Sequence, residues 1–172
     1  PAKTLEEYLA LAKSDPKMAS FGTPGAGSLP HFFGIMVGRA VGVELLHIPY
    51  AGSAPALANL LGGQIAAVVT TIADLSELHR SGKVRVLASS GAQRSRALPD
   101  VPTFRELGYA IEATPWYAFF APKNTPRAGV ERLSRAVAEA LSAPDVRERL
   151  TRSGLEPTGS TPEELAAILK AD

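Results

Sequence analysis

Hydrophobic and polar residues in the first half of the chain switch between two periods. Leu5, Leu9 and Ala12 recur at the spacing of one helix face, and Thr4 and Glu7 have capping-box spacing. These features predict a first helix that ends at about Lys13. Strands are then predicted at MASFGT, VELLHIPY, QIAAVVT and KVRVLAS, and helices at LPHFFGIMVGRAVG, SAPALANLLGG (with Ser53 as its N-cap) and ADLSELHRSG. This alternation predicts an α/β fold with a mostly parallel sheet and helices on both faces.

The pattern changes between Ala97 and Tyr109, where proline and turn residues are frequent and only TFREL predicts a helical turn. TPWYAFFAP then predicts an aromatic strand. The remainder predicts two helices separated at Ala143–Pro144, the second capped by Asp145 or its neighbour, and a last helix with Pro162 near its first turn. The C-terminal third is therefore expected to be mainly helical.

Composition excludes several classes of protein. The 172 residues are 45% hydrophobic and 20% charged, as in ordinary globular proteins. A net charge of +1 argues against a nucleic-acid binder, and the absence of cysteine excludes disulfides and thiolate metal sites. The apolar runs are far shorter than the roughly 20 residues that span a bilayer. The first residue is proline rather than methionine, so we expect a processed or truncated chain, and no signal peptide is visible.

The stretch GTPGAGSLP is the strongest candidate for a binding site. Gly25 and Gly27 allow a close approach of the backbone, and a helix that starts near Ser28 leaves its first N–H groups unpaired. The helix dipole favours negative charge there, so a carboxylate or a phosphate would fit. A tight turn between strand and helix explains the same residues without a ligand. A dinucleotide site is not supported, because Pro30 replaces the third glycine of that motif.

The remaining polar residues indicate no reactive centre. His31 lies about one turn into the second helix and is either a donor to the same anion or a structural residue. His47 is expected to pack at a strand end and His79 to lie on a solvated helix face. We predict no metal site, no cofactor and no catalytic residue. A small α/β transferase or hydrolase that uses Ser28 and His31 stays open as an alternative, although a third, orienting group is missing.

Five stretches resemble the substrate-receptor family of tripartite tricarboxylate transporters, the periplasmic solute-binding proteins called Bug or TctC proteins. They are GTPGAGSLPHF, HIPYAGSAPALANLLGGQIAAVV, SGKVRVLASSGAQRSRALPDVPTFRELGY, APKNTP and GSTPEELAA. The resemblance runs over essentially the whole chain. It implies a periplasmic-binding-protein-like (type II) fold of three αβα layers, with two lobes around a cleft. Residues 1–108 would be the second lobe and 109–172 the crossover and C-terminal part of the first, whose N-terminal part is absent.

The resemblance also implies which residues face the ligand. These are Thr23, Gly25, Ala26, Gly27, Ser28, His31, Tyr50, Gly52, Ser53, Thr70 and Thr71. The resemblance implies that the family often has acidic residues at the places of Ala66 and Thr70, where a carboxylate would bind a ligand amine. The chain is therefore expected to bind a carboxylate that needs no ammonium group.

The function implied is that of an extracytoplasmic receptor that binds a small di- or tricarboxylate in the interlobe cleft. It would deliver this ligand to the membrane subunits of the transporter, in the periplasm, without catalysis, cofactor or nucleic acid. A module that presents the ligand to a signalling partner is the alternative. Because the helical C-terminal segment would lack part of its partner, we expect exposed apolar residues and association with a second copy or segment exchange. The expected exposed residues are Leu133, Val137, Leu141 and Leu150.

Overall fold

The computed structural model describes residues 2–171, which form two compact units, one ending at Pro115 and the other beginning at Trp116. The helices of the first unit are α1 (Leu5–Ser14), α2 (Leu29–Val41), α3 (Ser53–Leu61) and α4 (Ile72–Arg80), with a 3-10 turn at Pro16–Ala19. Its strands are β1 (Ser20–Thr23), β2 (Leu46–Pro49) and β3 (Ala67–Val68). The second unit contains α5 (Arg127–Ser142), α6 (Pro144–Arg152) and α7 (Pro162–Ala171).

The three strands form a parallel sheet in the order β2-β1-β3, with Phe21 opposite His47 on one side and Ala67 on the other. The chain leaves β1 towards β2 through α2 and returns past β1 to β3 through α3. Crossovers between parallel strands are right-handed almost without exception, so this reversal of direction puts α2 and α3 on opposite faces of the sheet. The expected arrangement of helices on both faces of a parallel sheet is confirmed.

The contact between α2 and β1 depends on a glycine. Phe21 is 1% exposed, and a Cβ added to Gly34 would lie 2.1 Å from its Cε2 atom. The neighbouring Gly22 points to the other face, where an added Cβ would lie 2.7 Å from the Cδ1 atom of Ile65. The two glycines therefore allow helix and side chains to approach the central strand closely on both faces.

The first helix forms as its sequence indicates. Thr4 caps α1 by accepting a hydrogen bond from the N–H of Glu7, and the Glu7 carboxylate accepts from the N–H of Lys3, the residue before the N-cap. Its apolar face is buried in a core cluster, which includes Leu5, Tyr8, Leu9, Ala12, Phe33, Val37 and Phe104. Gly42 ends α2 in the left-handed conformation, also as predicted.

Two predicted strands are absent, and a third is short. QIAAVVT gives only Ala67–Val68, and these two residues are half-buried rather than covered on both faces. In KVRVLAS, the N–H of Val84 donates to the carbonyl of Leu78 and the N–H of Val86 to Nδ1 of His79. These bonds to α4 occupy donors that a strand would need, so only an isolated bridge between Ser89 and Thr103 forms.

The same bonds overturn the expectation that His79 is solvated. Its side chain is 16% exposed, and Nε2 lies 3.5 Å from a carboxylate oxygen of Asp100. His79 therefore holds the end of α4 against the segments that follow it. The aromatic segment TPWYAFFAP is likewise not a strand in this structure, and Tyr117, Phe119 and Phe120 are exposed.

The second unit is helical, as predicted. Pro144 starts α6, and the residue at its N-cap position is Ala143, with Asp145 in the first turn. No described residue of α5, α6 or α7 is buried. Of the four apolar residues expected on the surface, Leu133 is exposed and Val137, Leu141 and Leu150 are half-buried. No helix within residues 2–171 has the length and apolar content needed to cross a membrane.

Candidate ligand-binding site

Three loops meet at the carboxyl edge of the sheet. The N–H of Tyr50 donates to the carbonyl of Thr23 at 3.0 Å, and the N–H of Gly52 to the carbonyl of Pro24 at 3.1 Å. The third loop joins them where the hydroxyls of Ser53 and Thr70 lie 2.9 Å apart. In open α/β sheets, ligands bind at this edge, where the strand connections diverge in opposite directions, as they do here around β1. The fold thus brings together the predicted ligand-facing residues of the three loops that lead into α2, α3 and α4.

The loop between β1 and α2 has a defined shape. The carbonyl of Gly25 accepts from the hydroxyls of Ser28 at 2.7 Å and of Thr23 at 3.1 Å. Thr23 is fully buried, whereas Ala26 and Gly27 are exposed. Gly27 has a φ of 73°, in the left-handed region that favours glycine, and nothing lies within 4 Å of a Cβ added to Gly25 or Gly27. The outer side of the loop is therefore open.

The anion cradle predicted at the start of α2 is only partly available. The N–H of Gly27 donates to Nδ1 of His31 at 3.0 Å, so it is not free for a ligand. Ser28 makes no capping bond, and the N–H groups of Ser28 and Leu29 have no protein partner among the described residues. Because Nδ1 of His31 accepts the hydrogen bond from Gly27, the neutral ring carries its hydrogen on Nε2. The donors that remain are the backbone N–H groups of Ser28, Leu29 and His31 and that ring nitrogen.

The structure places His47, which the sequence did not assign to the site, directly against His31. The two rings stack with their centroids 3.8 Å apart and their planes 17° apart. Nε2 of His47 lies 2.7 Å from the hydroxyl oxygen of Thr23. Burial, and then the electrostatic interaction with His31, lower the pKa of His47. The two histidines thus brace the glycine loop, one through Gly27 and the other through Thr23.

The lowered pKa of His47 makes folding stability depend on pH. As the pH falls below about 6.5, the unfolded chain binds a proton at this histidine before the folded chain does, so stability decreases. We expect the variant His47→Phe to keep an aromatic ring against His31 but to lose this part of the decrease. Urea unfolding at pH 7 and pH 5 measures the difference. An identical decrease in both proteins would contradict this prediction.

Asp74 is a second functional candidate that the sequence analysis missed. Its Oδ2 atom accepts from the hydroxyls of Thr70 at 2.8 Å and Thr71 at 2.9 Å. Partial burial raises the pKa of Asp74, but hydrogen bonds from Ser53, Thr70 and Thr71 outweigh this effect and lower the pKa overall. Asp74 is therefore ionised at neutral pH. We call Ser53, Thr70, Thr71 and Asp74 the Asp74 cluster.

The geometry does not favour a hydrolase built on Ser28 and His31. The Ser28 hydroxyl donates to the carbonyl of Gly25, and Nδ1 of His31 is occupied by the N–H of Gly27. A serine nucleophile needs its proton directed to a base, and this arrangement directs it elsewhere. Within the part of the chain that the structure describes, no group of three or more potential metal ligands is arranged around a common point.

A parallel sheet with an open, donor-bearing loop at its carboxyl edge is the arrangement of an α/β ligand-binding protein. The family model described as the tripartite tricarboxylate transporter family receptor matches residues 1–171. The chain belongs to this family, and both the predicted family and the periplasmic-binding-protein-like fold are confirmed.

Similar proteins include Protein BugT of Bordetella pertussis, which is 36% identical over 96% of this chain and 51% of its own length. R. palustris Rpa4515, solved with adipate, has a TM-score of 0.92 at 28% identity over 99% of this chain and 57% of that chain. MatC (Rpa3494) from Rhodopseudomonas palustris, solved with bound malate, has a TM-score of 0.84 at 31% identity, over 99% and 60%. The chain spans about half the length of the curated relatives it matches.

Proposed function

We propose that this chain is part of a receptor that binds a small organic acid, with a carboxylate of the ligand at the start of α2. The observation that carries the proposal is the pair of unpartnered N–H groups at Ser28 and Leu29. They lie at the N-terminus of a 13-residue helix, and the dipole of a helix favours negative charge at that end. The open loop around Gly25 and Gly27 gives a carboxylate access to them.

The relatives support a carboxylate as the ligand class. Solved structures of similar fold hold adipate in one case and malate in another, and both are small dicarboxylates. Each of the predicted loops contributes at least one polar group or free space: Thr23, Gly25, Ala26, Gly27, Ser28 and His31 from the first, Tyr50, Gly52 and Ser53 from the second, Thr70 and Thr71 from the third. We propose these residues as one wall of the ligand site.

The proposal extends to the setting of the protein. Residues 1–108 would form the second lobe, residues 109–172 would return to the first lobe, and the ligand would bind in the cleft between the two lobes. The receptor would act in the periplasm and deliver its ligand to the membrane subunits of a tripartite tricarboxylate transporter, without catalysis.

If the 172-residue chain is produced alone, we expect it to self-associate or to exchange segments. Light scattering measures its mass in solution, and a monodisperse monomer would contradict this prediction.

A thermal-shift screen of the complete gene product tests the function. The compounds are dicarboxylates, tricarboxylates, amino acids and aromatic acids, each at a concentration well above a micromolar dissociation constant. A ligand at about 100 times its Kd stabilises the folded state by about 2.7 kcal/mol, so the melting temperature should rise by a few degrees. Calorimetry then gives the affinity. Absence of a shift with every carboxylate would refute the proposed function, and turnover of a bound acid would replace it with an enzyme.

A further inference from the structure

The positions of the hydrogens on His31 and His47 follow from counting protons at the glycine loop. The hydroxyl of Thr23 has one proton and donates it to the carbonyl of Gly25, so across its 2.7 Å contact with His47 it can only accept. His47 therefore carries its hydrogen on Nε2. Nδ1 of His31 accepts from the N–H of Gly27, so this ring also carries its hydrogen on Nε2. In each ring, only Nδ1 is left to take up a second proton.

A second proton has different consequences on the two rings. On His47 it would enter at Nδ1, and the contact of Nε2 with Thr23 would remain. On His31 it would enter at the atom that accepts from the N–H of Gly27, at 3.0 Å. Two donors would then face each other, and this hydrogen bond would break. Only a proton on His31 therefore releases the N–H of Gly27.

The stacked pair favours a single added proton. With the ring centroids 3.8 Å apart, positive charges on both rings would repel each other. Burial, and then the interaction with His31, lower the pKa of His47, so this ring resists protonation. Histidine side chains change their charge between about pH 5 and pH 8, so one added proton on the pair falls within a range that binding experiments reach.

The elements around the start of α2 bring few other charges to His31. β1 and the glycine loop have no titratable side chain, and β2 has only the other histidine. The titratable or charged groups of the adjoining segments are Glu6, Lys13, Arg39, Glu44, Tyr50 and Asp74. The first four lie near the last turn of α2 or follow it. Tyr50 packs beside Gly22, on the other face of the sheet, and hydroxyl groups bind the carboxylate of Asp74.

We propose that His31 is a positioning residue that couples carboxylate binding to the uptake of a proton. The neutral ring withholds the N–H of Gly27; the protonated ring releases it and adds a positive charge beside the N–H groups of Ser28 and Leu29. This inference rests on the proposed function. The complex with a carboxylate holds the added proton more tightly than the free protein does, so affinity should rise as the pH falls.

Calorimetric titration of the complete gene product tests this coupling. The probe is the tightest-binding carboxylate of the thermal-shift screen, with malate and adipate tried first. From pH 8 to pH 6 we expect the affinity to rise by about fivefold, below the limit of tenfold per pH unit that uptake of one proton sets. Titrations at pH 7 in Pipes and in bis-Tris, which differ in ionisation enthalpy, should show net proton uptake. Net proton release would overturn the inference.

His31→Gln keeps an acceptor for the N–H of Gly27 but cannot take up the proton. Its affinities at pH 6 and pH 8 should agree within about twofold. The matched control is His79→Gln, because Nδ1 of His79 also accepts a backbone N–H, that of Val86, in the same unit. This control should keep the wild-type pH dependence. Protonation of the ligand itself affects every variant equally, so the same pH dependence in the wild type and in His31→Gln would overturn the inference.

NMR of the histidine ring nitrogens gives a readout that does not depend on the folding of a variant. We expect His31 to carry its hydrogen on Nε2 in the free protein at pH 8, and hydrogens on both ring nitrogens in the complex at pH 6. A neutral His31 in the complex at pH 6 would overturn the inference alone, since the ligand is then bound without the proton. If no carboxylate binds at either pH, the proposed function fails, and the inference fails with it.

Discussion

Replacing Gly34 with valine should lower the melting temperature of the protein by about 6 to 12 °C. A Cβ at this position would lie 2.1 Å from Cε2 and 2.5 Å from Cζ of Phe21, a ring that is fully buried on the central strand. The ring cannot move aside without displacing its neighbours, because protein interiors are close-packed. Forcing extra methyl groups into such a contact costs about 3 kcal/mol, which in a chain of this length corresponds to the stated shift. Differential scanning calorimetry measures it.

The control for this prediction is a glycine in a helix with space around it. Gly129 lies in α5, and a Cβ added there would meet only the Cγ2 atom of Thr125 at an ordinary 3.5 Å. Gly129→Ala should therefore be neutral or stabilising, by up to about 1 kcal/mol, since alanine favours helix. If Gly34→Val melts within a degree of the wild type, α2 does not pack on β1 as described.

Replacing Gly27 with valine should weaken carboxylate binding by at least about tenfold and leave folding nearly unchanged. With its φ of 73°, Gly27 adopts a conformation that costs a residue with a side chain roughly 1–2 kcal/mol. The loop is exposed and open, so it can relax in the free protein and spread this cost. Relaxation moves the N–H groups of Ser28 and Leu29 and breaks the hydrogen bond to His31. The variant therefore loses ligand affinity but little folding stability.

Calorimetric titration with the acid that binds best, together with thermal melting, separates the two effects. Gly25→Ala is the matched control, because Gly25 lies in the same loop, has an ordinary φ and has free space for a Cβ. It should bind within about threefold of the wild type. Equal affinity of Gly27→Val and Gly25→Ala would show that the loop backbone does not hold the ligand.

The sequence predicted those parts of the candidate site that depend only on residues close together in the chain. The glycine-rich loop before α2 and its open helix start follow from neighbouring residues, because turn and capping preferences act over a few positions. The pairing of His31 with His47 depends on the register of β2 on β1 and was not visible. Asp74 had a local signal, since Thr71 and Asp74 have the spacing of a capping box. That signal identifies the start of α4 but not the hydroxyl of Ser53 that joins the cluster.

The sequence alone determined the alternation of helices and strands up to α4, the capping of α1, the end of α2 at Gly42 and the family. These features depend on periodicity and on short-range hydrogen bonds, which neighbouring residues specify. The tertiary structure decided which extended segments become strands and which polar groups stay free. Val84 and Val86 have strand-like residues around them, yet α4 takes their N–H groups. The N–H of Gly27 was an expected anion donor, yet His31 accepts it. The acceptors lie only four to seven residues away in the chain, but a backbone donor bonds whichever acceptor the folded conformation brings closest, and hydrophobic periodicity does not specify that choice.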